Sequence, residues 1–173
     1  PHLLPWPQKV AWNGKKFQYR GTFVSLTENF CSIGMEQPAG NKITGNPSSH
    51  PALSVKWVED FPDIPLNRNE AYKLRVTSKG VEIEAITETG VYRAIQTLRQ
   101  LTEKKGNGIA ITGCEITDWP AFRIRGFMQD VGRTYISTDE LKREIAILAR
   151  YKINVFHWHL TENQAWRLQS KVF

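Results

Sequence analysis

Five polar residues in the last third of the chain, Asp130, Arg133, His157, His159 and Glu162, are of the types that hold a small polar ligand. Arg133, whose guanidinium presents a planar fork of donors, is on its own evidence as readily a surface Arg ending a strand as a binding residue. His157 and His159 alternate, so on a strand they share a face and could ligate zinc through their ring nitrogens. A zinc site needs a third ligand, and the other histidines, His2 and His50, lie far upstream. Structural or hydrogen-bonding roles for the pair are therefore preferred to metal binding. Asp130 could be a ligand, but three residues before Arg133 it is better placed to fix the guanidinium. Trp158, alternating with the histidines, should face the opposite side and pack in a core. Trp166 and Arg167 fall in the loop beyond, where exposure is expected.

These residues need a frame that collects them, since 23 positions separate Arg133 from His157. Residues 122–131, FRIRGFMQDV, read as a strand buried on both faces. Ser137 and Glu140 form an S-x-x-E capping box, Leu141, Ile145 and Leu148 give an apolar helical stripe, and Arg150 and Lys152 complement its carboxyl end. Residues 153–160, INVFHWHL, read as a second strand. A parallel strand-helix-strand connection is the economical topology. It brings Asp130 and Arg133 to the same rim as His157, His159 and Glu162, where ligands gather in such units. Trp158 and Trp166 add flat apolar surface nearby.

Upstream the pattern is different. Asn13-Gly14 predicts a hairpin over 9–20. Residues 35–51 are rich in Gly, Pro, Asn and Ser and read as a loop, with a short helix before it. Alternation marks strands at 52–58, 72–78 and 81–87, the last two paired antiparallel around Ser78-Lys79-Gly80. Val91, Ile95, Leu98 and Leu101 then repeat with helical period, and the helix is expected to end near Lys104-Lys105-Gly106. Residues 111–116, ITGCEI, make a further strand. Up to residue 118 this is an α+β unit with nothing that looks catalytic.

Composition narrows the classes. The 173 residues suit one domain, or one small domain plus part of another. With 40% hydrophobic and 23% charged residues, the chain can bury a core. No run approaches the roughly 18 apolar residues of a membrane span. The opening PHLLPWPQKV has no charged leader or apolar run, so a secretory signal is expected to have been removed or never present. The net charge of +6 is spread, with 14 basic and 12 acidic residues before position 119 and 9 and 5 after it, which argues against nucleic acid as a partner. Cys31 and Cys114 form neither a disulfide framework nor a zinc set; two unlinked buried thiols are expected.

The segments DWPAFRIRGFMQDVGRTY (118–135) and ELKREIAILARYKINVFHWHLTENQAWRLQSK (140–171) resemble glycoside hydrolase family 20, the β-N-acetylhexosaminidases. NVFHWHLT is the most diagnostic string, while LLPWPQKV and GVYRAIQTLRQL look like the small α+β domain that precedes the family's catalytic barrel. The resemblance implies an α/β chain: an α+β domain at 1–118, then the first strand, helix and strand of a (β/α)8 TIM barrel at 119–173. It also implies that Arg133, in a D-x-x-R pattern, grips hydroxyls on the non-reducing side of a terminal sugar. Glu162 stands where the family usually has Asp and would hold the same hydroxyls on a longer arm; Asn163 follows at a position that is often acidic. Asp130, His157 and His159 would support them.

Chemistry in this family is substrate-assisted: the sugar's 2-acetamido oxygen attacks the anomeric carbon, a Glu protonates the leaving oxygen, and a neighbouring Asp orients the acetamido group. No Asp-Glu pair follows His159. A complete barrel needs about 250 residues. The expectation is therefore the amino-terminal part of an exo-acting hexosaminidase, inactive alone, needing no cofactor or metal, and prone to self-association through exposed barrel strands. Its partners would be glycans ending in N-acetylglucosamine or N-acetylgalactosamine, met in the periplasm or outside the cell. A non-catalytic carbohydrate-binding or interaction fragment is the alternative, and a metal-dependent barrel hydrolase built on His157 and His159 is a third reading.

Overall fold

The computed structural model describes residues 2–27, 52–169 and 171–172. The expected loop at 35–51, with its helix, and also Cys31 and His50, lie outside the described residues. The chain divides into two compact units, 1–121 and 122–173, and the whole is a mixture of helices and strands.

The first unit is built on a six-stranded sheet. Its strands are β1 (Lys9–Tyr19), β2 (Leu53–Trp57), β3 (Tyr72–Thr77), β4 (Gly80–Ala85), β5 (Thr102–Lys105) and β6 (Gly108–Asp118). The order is β1-β6-β3-β4-β2, with β5 beside the start of β6; β2 and β4 run parallel and the other pairs antiparallel. β3 and β4 pair as expected, with Thr77 opposite Gly80. Alternation places Tyr72, Leu74, Val76, Val81, Ile83 and Ala85 on one buried face. A short helix, α1 (Phe23–Thr27), follows β1, and a longer one, α2 (Glu88–Gln100), buries Val91, Ala94, Ile95 and Leu98 in the same core. Val91, Ile95 and Leu98 each contribute about 1.5–3 kcal/mol by leaving water. α2 starts where Thr87 Oγ1 accepts from the Gly90 amide at 3.3 Å.

Two expectations are corrected here. Residues 9–20 are not a hairpin but one strand that bulges: Trp12 lies opposite Cys114 and Lys16 opposite Thr112, so three residues of β1 face Gly113 alone. Asn13 closes the bulge, accepting from the Lys15 amide at 3.0 Å and donating to Val76 O at 2.9 Å. Gly14 takes φ of 70° within it. The signal for positive φ was right, but the sheet used it for a bulge rather than a reversal. α2 likewise stops short of residues 104–106. Lys104 and Lys105 lie in β5 and pair with Ile109 and Gly108, and Gly106, with φ of 57°, opens the two-residue turn between the strands.

The second unit contains β7 (Gly126–Asp130), α3 (Thr138–Arg150), β8 (Val155–His159) and a small hairpin, β9 (Thr161–Glu162) with β10 (Ala165–Trp166). β7 and β8 are parallel, in register from Gly126 opposite Val155 to Asp130 opposite His159, with α3 as the connection. The capping box is present: Glu140 N donates to Ser137 Oγ at 3.3 Å, and Ser137 N to Glu140 Oε2 at 3.0 Å. At the other end Lys152 takes φ of 62°, and the Lys152 and Ile153 amides return to Ala149 O and Leu148 O, closing the last turn. Of the expected stripe, Leu141 is buried while Ile145 is 46% exposed.

The strand expected over 122–131 is shorter than its apolar content suggests, and it is not buried on both faces. Phe122 and Ile124 are 73% and 71% exposed. Beside the Asn154 N to Arg125 O backbone bond, side chains hold this stretch: Asn154 Oδ1 accepts from Arg125 N, Asn154 Nδ2 donates to Arg123 O, and the Arg125 guanidinium donates to Lys152 O and Phe122 O.

Candidate functional site

The site grows from the carboxyl end of β7. Asp130 ends the strand, and its Oδ1 accepts from the amides of Gly132 at 2.8 Å and Arg133 at 3.1 Å, an Asx-type turn that reverses the chain. Its Oδ2 pairs with Arg133 Nε. The guanidinium holds the Asp130 carboxyl below the usual carboxylate range, helped by the two backbone donors, and the same pairing raises the Arg133 pKa. The Asp130 side chain is 16% exposed, while that of Arg133 is 57% exposed.

β8 supplies the second half. Val131 N donates to His159 O at 3.0 Å, continuing the β7–β8 register past Asp130. The His159 ring lies between two carboxylates, with Nδ1 3.9 Å from Asp130 Oδ2 and Nε2 3.8 Å from Glu162 Oε2. Glu162 also adds to the negative field on Arg133. The turn packs closely here: a Cβ on Gly132 would sit 3.3 Å from Glu162 Cβ and 3.2 Å from Asp130 Oδ1.

The structure therefore brings Asp130, Arg133, His159 and Glu162 to one rim. His157 is one pleat behind, its ring centroid 6.1 Å from that of His159. Among the described residues no three His, Cys, Asp or Glu side chains converge to hold a metal ion. Trp158 is on the opposite face, as its alternation with the histidines implied, where Phe127 and Phe156 stack at 6.4 Å, and it is 47% exposed. Trp166 is 65% exposed, as its loop position suggested. Cys114, by contrast, is a buried free thiol, pushed up to about 12 by desolvation, and takes no part in the site.

Sequence reading overlooked two contributors. Gly132 leaves room for the close approach of the turn to Glu162. Arg167, read only as a loop residue, donates from Nε to Val131 O at 2.8 Å and from Nη2 to Gly132 O at 3.3 Å. No local pattern announces either; a Gly just after a strand was the one available hint of tight packing.

Comparisons with known proteins give the family. Residues 1–119 match the family model "Glycosyl hydrolase family 20, domain 2", and residues 122–173 match "Glycosyl hydrolase family 20, catalytic domain". The chain belongs to glycosyl hydrolase family 20. A beta-hexosaminidase of Porphyromonas gingivalis is 42% identical over 145 residues, covering 80% of this chain and 17% of the relative. A beta-N-acetylhexosaminidase of Cellulomonas fimi is 40% identical over 118 residues, covering 68% of this chain and 24% of its own length. Among solved structures, a family 20 exo β-N-acetylglucosaminidase from Vibrio harveyi in complex with N-acetylglucosamine superposes with a TM-score of 0.73 at 30% identity, over 98% of this chain and 27% of that one. The chain thus spans about a quarter or less of these curated relatives.

Proposed function

We propose that these residues form part of an exo-acting β-N-acetylhexosaminidase that removes terminal non-reducing N-acetylglucosamine or N-acetylgalactosamine by substrate-assisted, retaining hydrolysis. Residues 1–118 are the small domain that precedes the catalytic barrel, and 119–173 are the first strand, helix and strand of that (β/α)8 barrel. In this reading Arg133 and Glu162 hold the hydroxyls of the terminal sugar. Asp130 fixes the guanidinium, and His159, with His157 behind it, maintains the spacing of the carboxylates. The Asp-Glu pair that would orient the acetamido group and protonate the leaving oxygen lies outside these residues, so bond cleavage is assigned elsewhere and holding is assigned here.

The observation that carries the proposal is the exposed Arg133 guanidinium, anchored on Asp130 at the carboxyl end of a parallel strand pair in a chain of this family. Exposed Phe122, Ile124 and Trp158 favour self-association of these residues by themselves. No helix among the described residues is long and apolar enough to cross a membrane, and we place the protein in the periplasm or outside the cell, as glycan substrates suggest.

The test is hydrolysis of aryl N-acetyl-β-hexosaminides by a protein that joins these residues to a complete catalytic domain. Release of the aryl group is expected. Arg133→Ala should lower kcat/KM by about 10–100-fold, the loss of a charge-assisted hydrogen bond worth about 1.5–3 kcal/mol. A folded protein that leaves these substrates intact refutes the assignment.

A further inference from the structure

We propose that Arg167 is a positioning residue for the sugar-holding rim, a clamp that ties the β9–β10 hairpin to the turn after β7 and so sets the separation of Arg133 and Glu162. The inference rests on the function proposed above for those two residues. Arg167 follows directly on β10, and its amide donates to Leu160 O at 3.1 Å, the residue just before β9. Its backbone therefore closes the hairpin that carries Glu162. Its side chain reaches the other half of the rim, where Nε and Nη2 donate to the consecutive carbonyls of Val131 and Gly132. The guanidinium lies 5.7 Å from the centroid of the Tyr135 ring, which adds a cation–π contact on the far side of Arg133.

One side chain thus grips residues 131, 132 and 135, on both sides of position 133, while its own backbone holds residue 160. A planar fork of donors can take two successive carbonyls; a lysine ammonium, a point donor, can satisfy one of them well. Gly132 sits between the clamp and the ligand groups, and its close approach to Glu162 leaves little slack. Displacing the turn by an ångström moves Arg133 away from Glu162, and misplacement of that size costs up to about 100-fold in kcat/KM where two groups must meet one ligand.

Two measurements test the clamp. The first is amide hydrogen exchange on this chain for Arg167→Ala and Arg167→Lys. Exchange of the Gly132 and Arg133 amides, which donate to Asp130, should accelerate about tenfold or more in the alanine variant and less in the lysine variant, while the Glu140 amide of the α3 cap keeps its protection. Unchanged exchange at 132 and 133 overturns the clamp. So does equal loss of protection across the whole second unit in both variants, because Arg167 would then be a general stabiliser. The second measurement is a double-mutant cycle in the protein with a complete catalytic domain. Arg167→Ala should raise KM for an aryl N-acetyl-β-glucosaminide by about 10–100-fold with kcat little changed, Arg167→Lys should restore part of it, and the Arg133→Ala/Arg167→Ala pair should be no worse than Arg133→Ala alone. Multiplying effects overturn the proposal. A parent protein without glycosidase activity refutes the proposed function instead, and the exchange experiment still decides whether the clamp exists.

Discussion

Gly113 sits beneath the bulge of β1, and replacing it with alanine tests whether that bulge is held by packing or merely tolerated. An added Cβ would lie 2.2 Å from Asn13 Oδ1 and 2.6 Å from Lys15 O. Moving the Asn13 amide alone does not relieve the contact, because Lys15 O is backbone; the bulge must lift by close to an ångström. Lifting it weakens the two Asn13 bonds, each contributing about 0.5–1.5 kcal/mol, and overpacking of this kind costs a further 1–3 kcal/mol or so. The opposing effect is small: a tolerated Gly→Ala change stabilises by about 0.4–1 kcal/mol through the unfolded chain. The expected net loss for Gly113→Ala is about 2–4 kcal/mol. Native-state amide exchange along β6, at Ile109 to Ile116, reads the first unit by itself and avoids treating a two-unit chain as two-state. Asn13→Ala supplies the scale, with an expected cost of about 1–2 kcal/mol, and the two changes together should cost less than their sum, since the Oδ1 clash is gone. A Gly113→Ala chain as stable as the parent, or more so, would show that the bulge does not need the space above residue 113.

Three further outcomes follow from the same coordinates. Tyr72→Phe should destabilise the first unit by about 1.5–3 kcal/mol in urea unfolding, because the buried Tyr72 hydroxyl donates to the Asp118 carboxylate at 3.0 Å and bonds Thr97 at 2.6 Å; a loss below about 0.5 kcal/mol contradicts that network. Leu98→Ala, at a fully buried position of α2, should cost about 2–5 kcal/mol by the same measurement. Finally, Asp130 titrates below the ordinary carboxylate value of 3.8 because Arg133 and two backbone amides favour its charged form. Its pairing therefore stabilises the rim above that value and is lost as pH falls through the lower folded pKa. Arg133→Ala should move the Asp130 midpoint, followed by carboxyl carbon chemical shift, up toward 3.8; a midpoint that stays put means the backbone donors alone set it.

How much of this was legible beforehand depends on the range over which each decision is made. The capping box at Ser137 is settled within four residues, and the alternation of β3 and β4 within six, so both could be read from the chain. Asn13-Gly14 was misread because the local signal specifies only positive φ; whether that becomes a reversal or a bulge depends on Gly113, a hundred residues away, leaving room opposite it. The end of α2 failed for a related reason: two lysines after an apolar stripe are an ordinary helix terminus until Gly106 permits a hairpin that pairs them with β6. The flanks of β7 were assigned burial from apolar content, which says that a surface is available to be covered and not what covers it.

The rim was legible because strand geometry does most of the work. Once residues 126–130 and 155–159 are parallel, residues just beyond their carboxyl ends must meet, whatever their separation in sequence. What geometry by period cannot supply is the spacing within the rim to the ångström. That spacing comes from contacts with no sequence period: Asp130 on the 132 and 133 amides, Gly132 against Glu162, and Arg167 across Val131 and Gly132. In the proposed function Glu162 reaches the sugar on an arm one methylene longer than an Asp would, and the turn facing it packs closely, so Glu162 and the proposed clamp at Arg167 should be judged together. Glu162→Asp should then be tolerated better in the Arg167→Ala background than in the parent, because a turn freed from its clamp can follow the shorter side chain, and kcat/KM for the four combinations of these two changes would reveal that dependence or its absence.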